Sequence, residues 1–112
     1  MLRSFDYAAY SELLSVARGG LESFERLEPW ARIWRSWTSA AFLRAYRQTA
    51  AAGSLLPNTP GVLCRLLDFF VLEKLVFELR YEMNYRPDWV RIPLLGILQL
   101  TRPDGVEVHA EP

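Results

Sequence analysis

The sequence predicts an all-α protein, and three observations lead to this class. Apolar residues recur at steps of three and four along most of the chain, which is the spacing of one helix face. Breaks rich in glycine and proline separate these stretches, among them "GSLLPNTPG" at residues 53–61. The alternation of apolar and polar residues that is typical of a strand is short, and we find it in "VEVH" near the end of the chain rather than in the longer apolar stretches. We therefore expect three long helices and one short C-terminal helix.

The first predicted helix covers residues 2–18 and is closed by Gly19 and Gly20. No Ser, Thr, Asp or Asn precedes it to bind its first free amides, so its start is uncapped. We expect from this that the chain begins inside a longer domain. The face expected to be buried carries Leu2, Phe5, Ala9, Leu13 and Val16.

The second helical stretch contains Pro29, which is tolerated near a helix start. We expect a short lead-in before Pro29 and then one long helix to about Ala52. One stripe of that helix carries Trp30, Trp34, Trp37 and Ala41. Because each indole can bury a large apolar area, the stripe is interpreted as a core seam rather than a stacking platform for a sugar or base.

The third helix is expected over about residues 60–86, with Thr59 and Pro60 as its cap and first-turn pair. It carries apolar residues on two nearly opposite sides, so we expect it to be sandwiched between layers. One side carries Phe69, Leu72, Val76, Leu79 and Met83, and the other carries Leu63, Leu67, Phe70, Phe77 and Tyr81. If a neighbouring layer is missing, the exposed apolar surface predicts self-association.

Charged residues fill two narrow seams between those sides. One seam holds Lys74, Glu78, Glu82 and Arg86 at successive four-residue steps, and the other holds Glu73, Arg80 and Asn84. Two interpretations stay open: a partly solvated ladder of ion pairs, or a polar lining that binds a neutral, hydroxyl-rich ligand. Pro87 ends this helix, and a short apolar helix opened by Pro93 follows.

Composition excludes several functional classes. The 13 basic residues balance the 13 acidic ones, so no net charge attracts nucleic acid or an anionic membrane. The single cysteine, Cys64, provides no disulfide or metal-ligand pattern and is expected to be buried and inert. No apolar run approaches the roughly 20 residues that span a bilayer, and we expect a cytoplasmic protein.

The last residues, 102–112, are predicted to form a tail behind a helical domain at residues 1–101. The tail holds the single histidine, His109, which is expected to be solvated. Neither a glycine-rich phosphate loop nor a Ser/His/Asp set occurs in the chain. We therefore assign no catalytic, cofactor-binding or metal-binding residue.

Two segments of the chain resemble a known family. "MLRSFDYAAY" at the start and "LLDFFVLEKLVFELRYEMNYRPDWVRIPLLGIL" at residues 66–98 are similar to the C-terminal part of bacterial maltokinases, including those fused to trehalose synthase. The similarity covers residues 1 to about 100. The resemblance implies the helical part of a kinase-like C-lobe, in a fold shared with aminoglycoside phosphotransferases.

Members of that family transfer a phosphoryl group from ATP, with magnesium, to maltose and form maltose 1-phosphate. In them the catalytic loop and the metal-binding "DFEG" segment precede the "MLRSFDYAA" helix, and neither occurs in these 112 residues. The resemblance therefore implies a chain that is inactive by itself. Its implied partners are the rest of the kinase, or a trehalose synthase domain.

The resemblance also implies which residues bind sugar. In the family the third helix and its "RPDW" end border the sugar side of the cleft. This makes Glu78 and Arg86 the first candidates for hydrogen bonds to maltose, with Glu82, Tyr81 and Glu73 behind them. An alternative from a different class is a non-enzymatic helical module that docks on a partner through its two-sided third helix.

Overall fold

The computed structural model describes residues 1–102, and this range is mostly helical with no strand. Single 3₁₀ turns at Ala17–Gly19 and Pro87–Trp89 join neighbouring helices. The all-α class with three long helices and one short helix is confirmed. The helices, numbered in chain order, are α1 (Leu2–Val16), α2 (Leu21–Ala51), α3 (Pro60–Tyr85) and α4 (Arg91–Thr101).

Local sequence explains where the helices begin and end. Gly20 has φ of 131°, a conformation that L side chains rarely adopt, and it separates α1 from α2. Thr59 is the N-cap of α3 with Pro60 at the first helical position, as predicted, although the Thr59 hydroxyl makes no capping bond. The start of α1 has no side-chain cap either.

The predicted break at Pro29 is wrong, because α2 runs without interruption from Leu21 to Ala51 with Pro29 inside it. Proline lacks the N–H that would donate to the carbonyl of Glu25, one turn earlier. α2 has 31 residues and keeps its other backbone hydrogen bonds. The one bond missing at Pro29 therefore does not end the helix. Similarly, α4 begins at Arg91, two residues before the expected opening at Pro93.

α1 is the central element, since it packs against each of the other three helices. α2 runs antiparallel beside α1, since Phe5 contacts Phe42 while Tyr10 contacts Glu28, and α4 packs on α3. The main core cluster contains Tyr10 and Leu13 from α1, Phe24 from α2 and Ile92 from α4. Leu75 of α3 is also fully buried.

The face that α1 buries differs from the predicted one. Arg3, Asp6, Tyr10 and Leu13 are buried, whereas Val16 is exposed and Leu2 and Phe5 are half-buried. Leu13 is buried as predicted, but the rest of the predicted apolar stripe is rotated from the true contact face. Polar residues occupy the contact because they bond to one another across helices.

The tryptophan stripe of α2 is not a core seam. Trp30 and Trp37 keep 71% and 77% of their surface exposed, and Trp34 keeps 48%. α2 contacts α1 through a different face, which carries Arg35 and Phe42. The packing interpretation of these indoles is wrong for this chain.

α3 is not sandwiched within the described range. Phe69, Val76 and Met83 on one predicted side, and Phe70 and Phe77 on the other, are all exposed. Its buried residues are Leu75, Glu78 and Glu82, which lie between the two apolar sides. The expected exposed apolar surface is therefore present. Cys64 is half-buried rather than fully buried, and the predicted tail with His109 lies almost wholly outside the described residues.

Candidate functional site

A buried ionic cluster joins α1, α2 and α3. Arg3 donates from Nε to Glu78 Oε2 at 2.9 Å and from Nη1 to Asp6 Oδ2 at 2.7 Å. Arg35 of α2 donates to the other oxygen of Asp6 at 3.3 Å. Two guanidinium groups and two carboxylates thus balance their charges inside the protein. These pairs offset the cost of burying the charges and fix how the three helices meet, although Arg3 Nη2 and Arg35 Nε are buried without a hydrogen-bond partner among residues 1–102.

α4 shapes the space around Arg3 through a glycine. A Cβ on Gly96 would lie 2.5 Å from Leu75 Cδ2 and 2.8 Å from Arg3 Nη1. Both contacts are closer than real Cβ atoms allow. The backbone of α4 therefore approaches the Arg3 guanidinium and Leu75 because residue 96 has no side chain.

A second cluster surrounds the carboxylate of Glu82, which is 1% exposed. Tyr7 of α1 donates its hydroxyl proton to Glu82 Oε1 at 2.9 Å. Arg86 donates from Nη2 to Oε1 at 2.7 Å and from Nε to Oε2 at 2.9 Å. This two-pronged pair fixes the plane of the guanidinium, which a single contact would not do.

Aromatic rings complete the surroundings of Arg86. Its guanidinium carbon lies 4.4 Å from the centroid of Trp89 and 5.4 Å from that of Tyr81. Tyr81 also lies beside Tyr85, with centroids 4.9 Å apart. Arg86 is exposed, and its Nη1 makes no hydrogen bond to any residue from 1 to 102. The corner thus presents a fixed donor between rings, which can bind a polar ligand.

Proton affinities follow from these contacts. Burial, followed by the hydrogen bond to Glu82, raises the pKa of Tyr7 well above its usual value. The hydrogen bond to Glu82 likewise raises the pKa of Arg86. Tyr7 and Arg86 therefore keep their protons at neutral pH and act as donors rather than as a general base.

A groove of about 670 Å³ lies beside the first cluster, between the start of α1, the last part of α2 and the middle of α3. Its lining is mostly apolar, with polar groups from Arg3, Tyr7, Lys74 and Glu78. Arg86, Tyr81, Glu82 and Glu73 do not line it. The groove and the Arg86 corner are thus separate surfaces that share α1 and α3.

The predicted sugar residues are only partly brought together. Glu82, Arg86 and Tyr81 meet at the end of α3, while Glu78 lies one turn earlier and binds Arg3. Glu78 and Glu82 are buried while Lys74 and Arg86 at the ends of their seam are exposed, and one i,i+4 ion pair of the expected ladder, Glu82–Arg86, is present. Glu73 is exposed and lies apart from this cluster.

Residue-by-residue prediction missed Arg3, Asp6 and Tyr7, which supply the partners of the buried glutamates. Their signal was present in the sequence, since positions 3, 6, 7 and 10 follow helical spacing and all carry polar groups. An apolar pattern search assigns these residues to the solvent. They form a polar contact face instead.

The described part of the chain contains no group of three or more His, Cys, Asp and Glu side chains able to hold a metal ion. None of the helices in residues 1–102 is both long and apolar enough to span a bilayer. No protein-family model matches the chain, and no solved structure matches it.

Proposed function

We propose that this chain is the sugar-side portion of a maltokinase, in which the end of α3 holds maltose. One observation carries the proposal: the two segments that resemble the family contact each other through Arg3 and Glu78, and through Tyr7 and Glu82. These segments are about seventy residues apart in sequence. Their contact would be expected if both belong to one functional unit.

Burial divides the candidate residues into two roles. Arg86 and Tyr81 are exposed and would contact the sugar, with Arg86 Nη1 donating to a hydroxyl and the rings covering C–H faces. Glu82 is buried and orients Arg86, so it is a positioning residue. Glu78 acts one step further away by fixing α1 on α3.

The chemistry assigned to the chain is positioning of the acceptor hydroxyl. The phosphate-binding and metal-binding segments of the family do not occur in these 112 residues. Phosphoryl transfer from ATP with magnesium would therefore need those groups from the rest of the kinase. A cytoplasmic location is part of the same proposal.

Maltose titration by calorimetry tests this proposal. The parent chain is expected to bind maltose weakly, and Arg86→Lys is expected to abolish the signal because lysine keeps the charge but loses the planar two-pronged geometry. Arg65→Lys, at an exposed position near the other end of α3, is the matched control and should bind like the parent. Absence of binding by the parent at high millimolar maltose would contradict the proposal.

A non-enzymatic interaction module is the second candidate, and the exposed aromatic residues of α2 and α3 favour it. Contiguous apolar surface of this kind usually marks an interface. The two candidates differ in the maltose titration, since an interaction module has no reason to bind the sugar.

A further inference from the structure

The outward side of α3 carries a heptad pattern. Four apolar residues stand seven apart, and three further residues lie between them at alternating steps of four and three. The apolar set is Val62, Phe69, Val76 and Met83, and the intervening set is Leu66, Glu73 and Arg80. An average step of 3.5 residues is the spacing that keeps one seam of a helix against a partner helix.

This seam faces away from the protein's own core. The five apolar members keep between 40% and 63% of their surface exposed, and Glu73 and Arg80 are exposed as well. The buried residues Leu75, Glu78 and Glu82 lie on the opposite side of the helix. No described segment of the chain covers the seam.

The positions of Glu73 and Arg80 decide whether a partner helix on the seam runs parallel or antiparallel. They are seven residues apart, about 10.5 Å along the axis, and share one face. Within residues 1–102 neither side chain forms an ion pair. Two copies of α3 that cross antiparallel, with a two-fold axis beside residues 76 and 77, place each Glu73 opposite Arg80 of the other copy.

We propose that α3 docks on a second copy of this chain in this antiparallel arrangement. Symmetry forms the Glu73–Arg80 pair twice, whereas a parallel pair would set glutamate against glutamate and arginine against arginine. The net charge of the chain is zero, so the two copies do not repel each other overall. This inference does not rest on the sugar site.

The available area suits a reversible dimer. The exposed parts of the five apolar seam residues amount to roughly 500 Å² per copy, against about 800 Å² per partner in a standard interface. Leu72 and Phe77 are exposed beside the seam and would enlarge the contact. We expect dissociation in the micromolar range rather than an obligate dimer.

The tryptophan stripe of α2 is a poorer choice for self-pairing. Arg26 and Arg44 stand in line with Trp30, Trp34 and Trp37, one at each end of the stripe. Two-fold or parallel pairing of α2 sets arginine against arginine. α3 is the helix whose charges complement those of its own copy.

Charge exchange followed by sedimentation equilibrium tests the proposal. Glu73→Arg and Arg80→Glu should each weaken dimerisation by about tenfold or more, because each turns two attractive pairs into two repulsive ones. The double variant should recover the parent's affinity. Both positions are exposed, so the fold is left intact, and helical content by circular dichroism checks this.

Mixing the two single variants gives the decisive measurement. A mixed dimer restores attraction at both pairs, so an equimolar mixture should associate as the parent does. A monomeric parent, single variants that dimerise like the parent, or a mixture that stays monomeric would each overturn the proposal.

Disulfide trapping gives an independent measurement in a Cys64→Ser background. Val76→Cys lies beside the two-fold axis and should oxidise to a covalent dimer. In Phe69→Cys the two cysteines of the dimer would lie about 22 Å apart along the helix axis, so this variant should not form a covalent dimer. Equal trapping at both positions would contradict the antiparallel register.

Discussion

At the scale of single residues, the contacts between the helices depend on charged groups that pair with one another. Arg3 binds Glu78 and Asp6, while Arg86 and Tyr7 share Glu82. Removing one member leaves a buried charge unpaired, which costs more than the pair contributes. The i,i+4 spacing of Glu82 and Arg86 could be read from the sequence, whereas the pairs that join α1 to α3 could not, because pairing across 75 positions has no local signature.

Gly96 provides the most direct test of the packing around Arg3. Gly96→Ala should lower the free energy of unfolding by about 1–3 kcal/mol, because its Cβ displaces Leu75 and the Arg3 guanidinium. Gly61→Ala is the matched control, since a Cβ there meets nothing within 4 Å. That change should raise the free energy by up to about 1 kcal/mol. Urea unfolding measures both, and equal effects would contradict the close approach of α4.

Tyr7 predicts how stability depends on alkaline pH. The pKa of Tyr7 in the folded protein is raised, so the unfolded chain releases this proton first, from about pH 10 upward. Its contribution is fully present below that pH and is lost as the pH rises further. Urea unfolding between about pH 9 and about pH 11 should show a shallower loss of stability for Tyr7→Phe than for the parent.

Two further variants separate Tyr7 from other tyrosines. Burial raises the pKa of Tyr10 as well, so Tyr7→Phe should keep a residual alkaline slope. Tyr46→Phe, at an exposed position, should keep the slope of the parent. At neutral pH, Tyr7→Phe should lower the free energy of unfolding by about 1–3 kcal/mol, because the buried Glu82 carboxylate loses one hydrogen-bond donor. An unchanged alkaline slope in Tyr7→Phe would refute the assignment.

At the scale of helices, the sequence predicted which helices exist and their order, but it did not predict which face each helix buries. Gly20, Pro60 and Pro87 act locally, so the boundaries they set could be predicted. The faces could not be, because the apolar rule assumes that apolar residues point inward. Here α3 buries Glu78 and Glu82 and leaves Phe69 and Phe77 exposed. The same failure assigned the tryptophans of α2 to a core.

Pro29 tests whether α2 tolerates proline at a cost. Pro29→Ala should raise the free energy of unfolding by about 1–3 kcal/mol, because alanine restores a donor to the carbonyl of Glu25 and favours the helix. Pro60→Ala is the matched control at the first position of α3, where the missing donor has no partner. Pro60→Ala should leave the free energy of unfolding unchanged or reduce it slightly. No gain from Pro29→Ala would mean that the proline fits α2 without loss.

At the scale of the whole molecule, the protein has a small core and large exposed aromatic surfaces on two different helices. The main cluster lies around α1, whereas the indoles of α2 and the seam of α3 face outward. These two apolar surfaces are not equivalent, because the charged residues beside each one decide which partner it can bind. Arginines flank the α2 stripe, while α3 carries a self-complementary pair.

Tryptophan fluorescence can therefore report which surface is covered. Trp30, Trp34 and Trp37 lie on α2, outside the proposed α3 interface, and Trp89 is half-buried beside Arg86. Acrylamide should quench the α2 indoles equally at protein concentrations below and above the dimerisation midpoint. Glu73→Arg, which is expected to stay monomeric, is the control and should give the same quenching constant. A marked drop in quenching on association of the parent would place the α2 stripe in the interface, because buried indoles are shielded from the quencher, and would argue against pairing through α3.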